Sequence, residues 1–137
     1  MPMKFKLKDR GYLPIKARHD DAGWDIYLPA DVKIGKGITV IPTGVCVQLP
    51  HGYAGLLAIR SSVAKTGLVL QNPLIDENYR GEIHAIVANF TDEEFEYKEK
   101  ERICSLYVFP LYMGSVSCVD ELDPSNRGEA WSGSSGR

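Results

Sequence analysis

In the stretch "PLIDENYRGEI", Asp76 directly follows the apolar pair Leu74 and Ile75, with Tyr79 three residues on and Arg80-Gly81 after it. A carboxylate at the end of an apolar run is either a turn residue, as Asp often is, or a general base that takes a proton from a water within hydrogen-bond reach. Tyr79 is, in the same way, a core ring or a flat surface for the apolar face of a ligand. A second cluster, "RSSVAKTGL", gathers Arg60, Ser61 and Ser62 at the start of a helical turn. Hydroxyls, backbone N–H groups and a cation together suit an anion, phosphate in particular. The plainer role for Ser61 or Ser62 is to cap a short helix that Gly67 ends. "HDDAGWDIYLP" supplies Asp20, Asp21 and Asp25, and strand alternation turns Asp25 away from Trp24 and Ile26, which predicts exposure. Near the C-terminus, Arg127 and "GSSG", with Ser134 and Ser135, offer a guanidinium, two hydroxyls and flexible amide donors that suit phosphates. The Gly-Lys-Ser/Thr order of a P-loop is not there.

Something must hold these groups in place, and the chain supplies mostly strands. "FKLK", "WDIYL", "ITVIP", "VCVQL", "GLLAI", "GLVL", "EIHAIVANF" and "RICSLYVFPLY" are rich in β-branched and aromatic residues. Gly- and Pro-bearing punctuation ("PADVKIGKG", "PTG", "PHGY", "QNP", "DENYRG") cuts them every ~8–12 residues, the pattern of an all-β sandwich or barrel. The helical turn at "RSSVAKTG" is the one exception. The final "DPSNRGEAWSGSSGR" is rich in Gly and Ser and poor in aliphatics, which places it outside the core.

At 137 residues the chain is sized for one domain. A net charge of -2 and a pI near 5.9 speak against a broad basic face for duplex nucleic acid, although local phosphate binding by a few arginines stays open. No run approaches the roughly 18 apolar residues of a membrane span, and the N-terminus lacks a signal-type apolar stretch, so a cytoplasmic protein is expected. Cys46, Cys104 and Cys118 are widely spaced and odd in number, which favours neither a disulfide framework nor a metal site. Cys104 has the setting of a buried small hydrophobe. His19, His51 and His84 are scattered.

The order of the pieces is more specific than any one of them. An acidic strand is followed by Arg-Ser-Ser, then Ile-Asp-x-x-Tyr-Arg-Gly-Glu, then Arg-Ile, and last Arg-Gly…Gly-Ser-Ser-Gly. This order resembles the trimeric dUTP pyrophosphatase (dUTPase) family over residues 16–136. The resemblance implies a jelly-roll-like distorted β-barrel over residues 1–122, with one short helix, and a mobile C-terminal arm over 123–137. It implies a homotrimer with active sites built from shared chains, hydrolysing dUTP to dUMP and pyrophosphate with Mg²⁺. Asp76 then corresponds to the acid that activates the water attacking the α-phosphorus and touches the sugar 3′-hydroxyl. Tyr79 corresponds to the ring beneath the deoxyribose, which leaves no room for a 2′-hydroxyl. The hairpin 72–79, Asn72 included, would read uracil through backbone hydrogen bonds. Arg60, Ser61 and Ser62 correspond to phosphate contacts, and Asp25 to the acid holding a water of the metal's shell. Arg127, Ser134 and Ser135 belong to the arm that closes over the β- and γ-phosphates.

The chain departs from the family pattern at four points. The usual Gly-Asp-Arg-Ile-Ala-Gln-Leu reads "KERICSL" here, so Ser105 replaces a glutamine that helps hold the catalytic water or a phosphate. The arm reads "AWSGSSG", which puts Ser132 where a lid phenylalanine is usual and Trp131 one residue earlier; Trp131 is expected to supply the covering ring. Pro73 stands where glycine is common, and Asn78 where an acid is common. Two other readings stand beside hydrolysis: a dUTP-binding regulatory protein with low turnover, and a dCTP deaminase on the same fold.

Overall fold

Ten strands and one helical turn make up the computed structural model, which describes residues 2–130. In chain order these are β1 (Lys4–Leu7), β2 (Gly23–Tyr27), β3 (Val32–Ile34), β4 (Gly37–Gln48), β5 (Tyr53–Ile59), α1 (Ser61–Ala64), β6 (Leu68–Gln71), β7 (Leu74–Ile75), β8 (Glu82–Asn89), β9 (Phe95–Tyr97) and β10 (Arg102–Pro110). One four-stranded sheet has the order β1-β4-β8-β6 and a second β2-β10-β5-β7, with β3 and β9 as a separate ribbon. All the named pairs are antiparallel. Ile41, Val45, Val47, Ile83, Ala85 and Val87 from the first sheet meet Ile26, Leu57, Ile75, Ile103 and Leu106 from the second in one buried core. This is the all-β architecture that the strand pattern predicts and the jelly-roll-like, distorted β-barrel that the resemblance implies. Among the described residues no helix is long and apolar enough to cross a membrane.

Local chemistry changed several expected boundaries. "ITVIP" and "VCVQL" belong to one long strand, β4, because "PTG" forms a bulge rather than a turn. Pro42 pairs with His84 and Cys46 with Glu82, leaving three residues of β4 opposite Ile83 alone. Pro is tolerated at such a bulge because the ladder there is already interrupted. Thr43, 1% exposed, donates its hydroxyl to the Ile83 carbonyl at 2.7 Å. Gly44, at φ +73°, turns its amide to Glu82 Oε2 at 2.9 Å. Of the short strands, β3 lies inside "PADVKIGKG", which reads as punctuation, β7 is the apolar pair before Asp76, and β9 lies in a charged stretch. Ser61 and Ser62 do not cap α1. Arg60 is the N-cap, without a side-chain cap hydrogen bond, and both serine side chains remain at the surface.

Two turns hold the candidate site residues. After β7, the Asp76 carbonyl accepts the Tyr79 amide at 3.1 Å and closes a turn. Glu77 fastens that turn to the β4–β5 connection: its carboxylate accepts the Gly52 amide and faces His51 Nδ1 at 3.1 Å. Between β9 and β10, Lys100 adopts φ 72°, left-handed backbone that suits glycine and strains a lysine. Its amide is held by the Leu28 carbonyl at 2.8 Å. The strained residue stands where the related motif carries glycine.

Two predictions follow from these turns. Lys100→Gly should raise stability by about 0.5–1 kcal/mol, since relief of a left-handed residue outweighs the added freedom of the unfolded chain. Urea denaturation reads this, and an unchanged or lower midpoint counts against strain at that turn. Glu77's carboxyl is held below its ordinary value of 4.5, first by the Gly52 amide and then by His51. A depressed folded-state value contributes stability that is complete above the ordinary value and is lost as pH falls through the folded one. Glu77→Gln should therefore be less stable than the parent at pH 7, with the gap closing as the pH falls below 4.5. A gap that stays constant in denaturation curves from pH 3 to pH 7 would exclude the clamp.

Candidate active site

Asp76 is carried to the surface by β7, a two-residue strand that ends where its ladder with β5 ends. Gly55 pairs with Ile75, Leu56 with Leu74, and the Leu57 amide reaches the Pro73 carbonyl at 2.8 Å. Ile75 points into the core at 6% exposure, so the next residue, Asp76, must point outward. Asn72, at φ 45°, makes the tight turn from β6 into β7; asparagine tolerates that backbone better than most residues. Tyr79 folds back over Gly81 and donates its hydroxyl to the Glu82 carbonyl at 2.8 Å. A β-carbon at position 81 would lie 2.6 Å from that hydroxyl oxygen and 2.7 Å from Cζ, so the ring occupies space that only glycine leaves empty. Asn72, Asp76 and Tyr79, with Ile83, His84 and Ile86 of β8, line a cleft of about 390 Å³. A carboxylate at the mouth and an exposed ring along the wall suit a ligand with both a polar and an apolar face.

Asp25, Arg60, Ser61 and Ser62 line a different cleft, of about 500 Å³, together with Lys65, Ser105 and Tyr107. The exposure expected for Asp25 is not found: its side chain is only 17% exposed. Oδ2 pairs with Arg102 Nη1 at 2.8 Å and Oδ1 accepts the Ser105 hydroxyl at 2.9 Å. A bulge makes this possible. Arg102 pairs with Tyr27 of β2 and Cys104 with Ile26, which leaves Ile103 as the extra residue. Residues three apart on a regular strand face opposite sides, and the inserted residue brings Arg102 and Ser105 onto the face of Asp25. Arg60 continues from β5, its amide on the Ile103 carbonyl at 2.9 Å and its guanidinium on the Arg102 carbonyl at 3.3 Å. Burial, with the charge of Asp25 as a smaller cause, pushes the Cys104 thiol up to about 12, so it stays protonated and chemically quiet behind the cleft.

The two clefts share no lining residue. Asp25 and the strand leading to Asp76 sit at opposite edges of the sheet β2-β10-β5-β7, three strand spacings or about 14 Å apart. Asp25 is level with Ala58 through Ser105, while Ile75 is level with Gly55, so Asp76 is displaced a further ~13 Å along the strands. The expected site residues therefore form two groups within one chain rather than one. Arg127, exposed and donating Nε to the Ala130 carbonyl at 2.8 Å, lines neither cleft. Trp131, Ser134 and Ser135 lie outside the described residues. Sequence reasoning missed the Arg102–Asp25 pair, Tyr107 and the role of Gly81. Opposite charges on β2 and β10 were visible, but their pairing across 77 positions was not.

Among the described residues no three His, Cys, Asp or Glu side chains gather as metal ligands. The donor set fits one hard cation that keeps most of its water and binds mainly through a ligand's phosphates, with Asp25's remaining lone pairs accepting from that water.

The dUTPase family model matches residues 9–136. The deoxyuridine 5'-triphosphate nucleotidohydrolase of Syntrophotalea carbinolica is 34% identical over 96% of this chain and 93% of its own length. That of Escherichia phage T5 is 36% identical over 98% of each chain. Among solved structures, a mutant dUTPase of Staphylococcus bacteriophage 80alpha with dUpNHpp superposes with a TM-score of 0.89, at 28% identity and 99% coverage of both chains. A mutant dUTPase from phage phi11 of S. aureus, which reveals the coordination of a structural Mg(II) ion, shares the fold at a TM-score of 0.79 and 23% identity, over 88% of this chain and 98% of that one. With the match spanning the acidic strand, the Arg-Ser-Ser turn and the Asp76 hairpin alike, the chain belongs to the dUTPase family.

Proposed function

We propose that this protein hydrolyses dUTP to dUMP and pyrophosphate, by attack of water on the α-phosphorus, at sites completed by neighbouring copies of the chain. The observation that carries the reading is the Asp76–Tyr79 cleft, an outward carboxylate beside an exposed ring that is seated on glycine. Asp76 takes the proton of the attacking water and accepts from the sugar 3′-hydroxyl. Tyr79 lies against the deoxyribose and excludes a 2′-hydroxyl, while the backbone of the hairpin 72–79, with Asn72, reads uracil. Cytosine presents the reversed donor–acceptor edge, and the unpaired polar groups that result are costly enough to reject it.

The second cleft supplies the phosphate contacts. Arg60, Ser61 and Ser62 hold phosphate oxygens, and Arg102 fixes Asp25 in the orientation in which it accepts from a metal-bound water. Mg²⁺ would neutralise charge on the phosphates. Arg127, Trp131, Ser134 and Ser135, in the arm 123–137 that follows the barrel 1–122, close over nucleotide and phosphates.

One phosphate chain cannot reach both clefts of one chain, separated as they are by about 14 Å across the sheet and ~13 Å along it. Sharing between copies in a homotrimer brings the Asp76 hairpin of one to the Arg60 cleft of the next. An apolar strip beside the first cleft supports this: Ile38 and Val40 on β4 and Val69 on β6 are 55%, 56% and 45% exposed. They are joined to the cleft through Ile86, the cross-strand partner of Val40.

The deciding assay is pyrophosphate release from dUTP, dCTP, dTTP and UTP with Mg²⁺. Rapid turnover of dUTP alone is expected, and ammonia release from dCTP would overturn the reading. Asp76→Asn should keep nucleotide affinity and lose about a thousandfold in kcat, ~4 kcal/mol of barrier; an Asp76→Asn rate equal to the parent's refutes the base. Sharing of sites is checked by co-refolding inactive Asp76→Asn with inactive Arg60→Ala. Mixed assemblies should regain activity because some sites join an intact hairpin to an intact phosphate cleft. No recovery, or a monomer mass by light scattering, would count against shared sites.

A further inference from the structure

We propose that Tyr107 is a further substrate-contacting residue, its phenol donating a hydrogen bond to an anionic oxygen of the ligand in the Arg60 cleft. The inference rests on the reading of that cleft as the phosphate side of the nucleotide site. Four observations lead to it.

Tyr107 stands two residues after Ser105 on β10, on the same face of the strand. Both line the cleft of about 500 Å³ that also contains Arg60, Ser61, Ser62 and Lys65. Ser105 has one hydroxyl proton, and it is committed to Asp25 Oδ1 at 2.9 Å. The side chain best placed along this strand to donate to a phosphate oxygen is thus already used by the protein. Tyr107 supplies a second hydroxyl further along, and no described residue donates to it or accepts from it.

The ring is held in place, too. Tyr107 is the cross-strand partner of Gly23, and a β-carbon at position 23 would lie 3.0 Å from the Tyr107 Cζ and 3.1 Å from Cε1. The ring therefore rests across the backbone of β2 in the space that glycine leaves, and its orientation is set before any ligand arrives. Preorganised donors lose little freedom on binding, so the hydrogen bond keeps most of its strength. The cations of the cleft, Arg60 and Lys65, make the ligand there an anion. A phenol donating to an anion forms the stronger, charge-assisted kind of bond. In short, Ser105 aims Asp25, and Tyr107 makes the ligand contact that Ser105 is too short and too occupied to make.

Tyr107→Phe keeps the ring over Gly23 and removes only the hydroxyl. Steady-state kinetics on dUTP should show kcat/KM lower by about tenfold or more, with thermal midpoint and light-scattering mass as in the parent. Equal kcat/KM in parent and variant overturns the proposal. So does a loss accompanied by a change of mass, which would assign the hydroxyl to assembly. The function itself is judged separately, by whether the parent turns over dUTP at all. If it does not, calorimetric binding of inorganic triphosphate decides the role of Tyr107: weaker binding by Tyr107→Phe upholds the contact, and equal affinity ends it.

Discussion

The hydrogen-bonded order of one sheet, β2-β10-β5-β7, constrains everything that this protein does with its polar residues. It puts Asp25 on one edge strand and Asp76 beyond the other, with two full strands between. No rotamer or loop motion closes such a gap, since the intervening strands are locked by ladders and by a shared core. The molecule therefore carries two separate clefts of different character. One holds a carboxylate beside a ring; the other gathers cations and hydroxyls around a fixed acid. Next to the first cleft, Ile38, Val40 and Val69 form an apolar strip that is left exposed on this chain.

Within the second cleft, the order of events runs from backbone to charge. The extra residue at Ile103 turns Arg102 toward Asp25, and the two side chains pair at 2.8 Å. Such a pair adds little net stability, because desolvation offsets most of the attraction. Its worth is in direction, since both oxygens of Asp25 are fixed and their remaining lone pairs face the cleft. Cys104, packed behind, adds apolar volume and no reactivity.

Much of this was legible in the sequence, and the parts that were not share a physical cause. The β-rich pattern, the outward Asp76 and the Arg-Ser-Ser turn are local features, set by alternation and by turn chemistry. Asp25 was misjudged as exposed because its burial comes from Arg102, Ser105 and the strand beside it, all distant in the chain. The bulges at Thr43 and Ile103 gave no local sign beyond a proline in one case. "VKI" and "FEY" were overlooked because three-residue strands carry too little alternation to stand out from their flanks. Ser61 and Ser62 have the right types for a cap, and Arg60 took that position because its amide already continues the β10 ladder.

Gly81 shows how the placing of an exposed ring can rest on an atom that is missing. The Tyr79 ring sits 2.6–2.7 Å from where any β-carbon would be. Every other amino acid has that carbon, so no conservative replacement exists. In genetic terms, each missense change at this codon, however small the new side chain, asks the Tyr79 ring to move.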